Sequence, residues 1–111
     1  MKMIVAIVQD EDSSRLISAL MNDGFGVTKL ATTGGFLRAG NTTLLIGVDD
    51  EKLHCVMEII EQVCKSRKQI TAAPSSMGSM GGMPGAASYP VEVTVGGATV
   101  FVMSVDQFVK L

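Results

Sequence analysis

A chain of 111 residues with a formal net charge of −2 is one domain long and lacks the basic excess of a nucleic-acid-binding surface. Apolar residues make up 47% of it and mean hydropathy is +0.37, more than a domain of this size buries in its own core, so the surplus predicts an oligomer interface. The first apolar run, Met3 to Val8, is far too short to span a membrane, and no signal peptide follows Met1-Lys2, so a cytoplasmic protein is expected.

Met3 to Val8 is rich in Ile and Val and predicts a central strand. Asp10 or Asp12 is expected to cap a helix running to about Asp23, with an apolar stripe at Leu16, Ile17, Leu20 and Met21 and Gly24 at the stop position. Phe25 to Thr33 reads as extended, and a turn over Gly34 to Gly40 returns the chain into a strand from Thr42 to Val48. Asp49 or Asp50 is expected to cap a second helix, whose stripe is Leu53, Val56, Met57, Ile60, Val63 and Cys64. Lys65, Arg67 and Lys68 sit at its expected end, where they suit the helix dipole. Cys55 and Cys64 lie nine helical steps apart, about two and a half turns, and so point to opposite faces. They read as free, buried-type thiols in a reducing compartment.

From Ile70 to Tyr89 no charged residue occurs, and Gly, Ser, Ala, Pro and the methionines Met77, Met80 and Met83 accumulate. This stretch reads as a flexible loop, either a passive linker or a surface that adapts to a partner or ligand. Val91 to Val95 then alternates, Gly96-Gly97 suits a two-residue hairpin turn, and Ala98 to Met103 is expected to return as the partner strand. The order β-α-β-β-α-β with an extra C-terminal hairpin strand predicts an α+β, ferredoxin-like sandwich in a single domain, residues 1–111. Right-handed crossovers place both helices on one side of the sheet, which leaves the other face for a neighbouring subunit.

No catalytic constellation stands out, so the chain reads as a non-enzyme. His54 is the only histidine and has no partner in sequence for a metal site; the acidic groups at 10–12 and 49–51 suit helix starts; neither a Walker A nor a dinucleotide fingerprint is present. The run Thr28 to Thr43 is the exception to this plainness. It combines Gly34, Gly35 and Gly40 with Thr hydroxyls, the Asn41 amide, Phe36, Lys29 and Arg38. Such a turn lets a ligand approach the backbone and offers donors to an anion, although the residues alone leave open a hairpin that only turns the chain.

That run, the opening Met3-Ile-Val-Ala-Ile-Val-Gln-Asp10, and Tyr89-Pro-Val-Glu-Val93 with Val95-Gly-Gly-Ala-Thr-Val-Phe-Val102 together resemble the PII-like cyclic-di-AMP receptor family. The resemblance covers nearly the whole chain. It implies a homotrimer of ferredoxin-like subunits that holds cyclic di-AMP in clefts between neighbours, needs no cofactor or metal, and signals to a downstream protein through long loops. It further implies that Thr28 and Asn41 hydrogen-bond the ligand and that Gly35, Phe36 and Leu37 enclose an adenine. Gly47 would let a base or ribose lie against its strand, with Phe25 and Phe101 as aromatic contacts. Where the family commonly has Asn-Phe-Arg, this chain has Gly24-Phe25-Gly26, and its tail ends Phe108-Val-Lys-Leu111 instead of on aromatic and polar residues. A sensor of another adenine nucleotide, or an adaptor that no longer binds ligand, are the other functional classes this pattern accommodates.

Overall fold

The computed structural model describes residues 1–30, 40–74 and 88–111. Strand β1 (Lys2–Gln9) leads into helix α1 (Asp10–Asn22), followed by β2 (Val27–Lys29) and β3 (Asn41–Val48). A 3-10 turn (Asp50–Lys52) opens helix α2 (Leu53–Cys64), after which come β4 (Arg67–Pro74), β5 (Ser88–Val95) and β6 (Ala98–Ser104). Contacts divide these into two compact units, one of Met1–Lys65 with Gly96–Leu111, the other of Ser66–Val95.

The first unit is a four-stranded antiparallel sheet in the order β2-β3-β1-β6 with two helices. This is the strand order of two interleaved β-α-β units, as the ferredoxin-like reading expects. Register explains which face is buried. Ile4 pairs with Ile46, Ala6 with Leu44 and Val8 with Thr42, and all six are buried. Because side chains alternate along a strand, the even-numbered residues of β1 and β3 form one floor. Leu16 and Leu20 of α1 and Val56, Ile60 and Cys64 of α2 close over it, with Phe25, Val100 and Ile17 packed at its margin. Each fully buried Leu or Ile contributes about 1.5–3 kcal/mol, so this floor fixes the register: a one-residue slip would turn it to solvent.

Helix α1 stops as its sequence predicts. Gly24 adopts φ +87, its N–H donates to the Met21 carbonyl at 3.0 Å, and the Phe25 N–H donates to the Leu20 carbonyl at 2.9 Å. These two bonds make a Schellman motif, with Phe25 as its apolar lock against the core. The helix start differs from expectation. Gln9 is the N-cap and makes no side-chain cap bond; Asp10 reaches across to β3, and Asp12 is fully buried and accepts from Arg15 Nη2 at 2.7 Å. Asp49 likewise makes no side-chain cap bond, and Asp50 meets the Met1 ammonium at 2.9 Å.

The second unit is a two-stranded antiparallel ladder of β4 and β5, from Arg67 opposite Val95 to Pro74 opposite Ser88. Two expectations are thereby corrected. The ends of the 70–89 stretch are strand, because Ile70 and Thr71 find partners in Glu92 and Val91; Met77, Met80 and Met83 lie outside the described residues. Arg67 and Lys68 are strand residues too, and Lys68 pairs with Glu92 at 3.2 Å instead of facing a helix end.

The expected 91–103 hairpin is also corrected. β5 pairs with β4, whereas β6 pairs with β1, Val5 opposite Phe101. Gly96 and Gly97 do turn the chain, at φ +83 and +92, but they pass it from one sheet to another. Backbone bonds hold them there. The Gly96 N–H donates to Gln9 Oε1 at 2.7 Å, and the Gly97 N–H donates to the carbonyl of Cys64, the last residue of α2. A glycine pair permits a sharp change of direction but does not say which ladder receives the chain.

Candidate functional site

The odd-numbered residues of β1, β3 and β6, and Thr28 of β2, face away from the helices. Across its middle runs a single row, Thr28 of β2, Leu45 of β3, Val5 of β1 and Phe101 of β6. The next row is Gly47, Met3 and Met103. Phe101 is 53% exposed and Met103 48%, so this face is apolar and largely uncovered along β6.

Gly47 is the indentation in this face. With no side chain of its own, it makes room for the Met1 side chain, whose Cε lies 3.1 Å from where a Gly47 Cβ would stand, and the tail that follows β6 is tied down by a Val105 N–H donating to the Met1 carbonyl at 3.1 Å. Beside Gly47 lies a hollow of about 230 Å3, lined by Met1, Met3, Gly26, Thr28, Leu45 and Gly47 together with Val105 and Phe108 of the tail. Among the described residues no acidic side chain lines it. On the other flank of Gly47 a second hollow of about 300 Å3 meets Gly24, Phe25, Gly26, Asp49 and Lys52. Asp23 also lines it, as does Met1, whose ammonium is already paired to Asp50, so an anion is better served by the first hollow, which has no carboxylate among the described residues.

The expected site residues are therefore distributed. Thr28 and Gly47 share the first hollow, and Phe25 and Gly47 the second. Phe101 lies in the row of Thr28 but three strands away, about 14 Å at the usual spacing. Asn41 opens β3 opposite Gln9, six residues and about 20 Å from Gly47. Gly35, Phe36 and Leu37 lie outside the described residues. Phe108 and Val105 were not singled out in sequence, because an irregular tail carries no periodicity to say which face it covers.

Around Asn41 the polar geometry is tight. The Asp10 N–H donates to the Gly40 carbonyl at 2.8 Å, and the Gly40 N–H donates back to Asp10 Oδ2 at 3.0 Å. The Thr42 hydroxyl donates to Asp10 Oδ1. That hydroxyl, then the Gly40 amide, and more weakly the charge of Lys29 hold the Asp10 carboxyl below its ordinary range against a small opposing desolvation.

Among the described residues no group of three or more His, Cys, Asp or Glu is placed to hold a metal ion. No helix there is long and apolar enough to cross a membrane.

A two-layer α+β domain with helices on one side and an indented apolar sheet face on the other is a ferredoxin-like module with its open face available for a ligand or a neighbour. The model of the cyclic-di-AMP receptor family matches residues 1–111, and the chain belongs to that family. It is also similar to a functionally unknown protein from Pediococcus pentosaceus ATCC 25745, known from its crystal structure. The two are 40% identical and superpose with a TM-score of 0.76, over 99% of this chain and 96% of that one.

Proposed function

We propose that this chain is a non-enzymatic, cytoplasmic receptor that binds cyclic di-AMP at the interfaces of a homotrimer and signals to a downstream protein by a change in residues 70–89. The hollow beside Gly47 carries the reading. It brings together the Gly47 strand beside the Met1 side chain, Thr28, an apolar wall and, among the described residues, no carboxylate, which suits an adenine with its ribose and phosphate. At about 230 Å3 it is smaller than the roughly 300–1,000 Å3 of typical ligand sites, so a dinucleotide needs further walls. A second subunit against the open face brings its own residues to the hollow, and Phe101, too far from Thr28 within one chain, then meets the ligand from a neighbour.

Isothermal titration with cyclic di-AMP, beside AMP, ADP and ATP, tests this. Saturable heat with the cyclic dinucleotide alone supports the receptor; no heat with it, under conditions where the protein is folded, overturns the proposal. A sensor of another adenine nucleotide is the second reading, favoured by Gly24 and Gly26 beside the ligand hollows, where the family commonly has two polar side chains. It predicts that one of the other nucleotides binds instead and raises the melting temperature as any native-state ligand does.

A further inference from the structure

Asn41 stands between two residues that one side chain holds. Asp10 Oδ2 accepts from the N–H of Gly40, and Asp10 Oδ1 accepts from the hydroxyl of Thr42. The backbone closes the same ring, with the Asp10 N–H donating to the Gly40 carbonyl at 2.8 Å. Asp10 was expected to cap α1, yet its side chain serves β3 and leaves the helix end to Gln9. The geometry points to Asp10 as a positioning residue, a carboxylate whose two oxygens bracket Asn41 and fix the direction from which its amide meets the ligand.

Three features make this restraint necessary. Gly40 has φ +140, with nothing within 4 Å of the place a Cβ would occupy, so neither side-chain packing nor backbone preference holds it. Thr42 is only 5% exposed, and a buried hydroxyl left without an acceptor is costly, which keeps the carboxylate engaged. Finally, the cross-strand neighbour of Asn41 is Gln9, whose side chain accepts from the Gly96 N–H at 2.7 Å. The start of β3 is thus held from Asp10 by side-chain bonds to Gly40 and Thr42.

The inference rests on the receptor reading and on the expectation that Asn41, about 20 Å from Gly47 within one chain, hydrogen-bonds a ligand shared between subunits. Titration calorimetry with cyclic di-AMP on the full chain tests it, using Asp10→Asn, Asn41→Ala and the double variant, with Thr42→Val as an independent way to remove one arm of the bracket. Asp10→Asn and Thr42→Val are expected to weaken binding about fivefold to tenfold, the loss of one well-placed hydrogen bond. In the double variant the loss is expected to equal that of Asn41→Ala alone, since placement no longer matters once the amide is gone. A purely structural role gives losses that add. Additive losses, or native affinity in both Asp10→Asn and Thr42→Val, overturn the positioning role while leaving the receptor reading intact. Absence of binding by the native chain overturns both.

Discussion

Gly26 and Gly24 look alike in the sequence and differ in what they tolerate. Gly26 has an ordinary backbone, and a Cβ built there meets nothing within 4 Å, so a side chain fits. Gly24 has φ +87, where only Asn and Asp among side-chain residues are at ease. Gly26→Arg is therefore expected to fold normally and, by adding a cation beside the Gly47 hollow, to tighten cyclic di-AMP binding about tenfold, as one charge-assisted bond allows; calorimetry reads the change. Gly24→Val is expected to lower stability by about 1 kcal/mol or more through strain alone, and Gly24→Asn by less, in denaturant melts. Asp10 gives a pH signature. Its carboxyl titrates lower in the folded protein than the ordinary 3.8, so its stabilising effect is complete above that pH and fades as the pH falls through the lower folded value. The melting temperatures of the native chain and Asp10→Asn should accordingly differ at pH 5 and converge in strong acid.

At the scale of elements, most of the first unit was legible. The Ile/Val run of β1, the stripes of α1 and α2 and the stop at Gly24 each rest on local chemistry that periodicity reports directly. Leu16 and Val56 were named from the stripes and are fully buried; Leu16→Ala should cost about 2–5 kcal/mol in denaturant unfolding. What stayed hidden was long-range. Arg67 and Lys68 look like helix-end cations until Thr94 and Val95 are known to face them across a ladder. Asp10 looks like a cap until Thr42, 32 positions away, takes its oxygen. Thr28, Gly47 and Phe25, expected from the sequence as ligand residues, line the hollows. That Thr28 and Phe25 line different ones, with Gly47 in both, was not legible, because it depends on the tail after β6 folding back past Met3.

For the whole molecule, the uncovered row along β6 makes a claim about assembly. Phe101 and Met103 carry apolar surface on the side away from the helices. Phe101→Glu is expected to convert the native oligomer to monomer in light-scattering measurements while leaving the helical circular dichroism unchanged, since neither residue belongs to the core under the helices. If the native chain is already monomeric, the proposed inter-subunit ligand site cannot form. The bond from the Gly97 N–H to the Cys64 carbonyl has a consequence of another kind. It makes neighbours of Cys64 and Gly97, beside the points where the chain leaves the sheet domain and returns to it, so that domain closes on itself without help from the residues between. A segment attached in that way is exchangeable: it can lengthen, shorten or change its chemistry without asking the sheet to re-register. Joining Lys65 to Gly96 through two or three glycines is expected to leave a folded domain. Under the proposed reading, the ligand site and the signalling segment are then free to evolve on separate schedules.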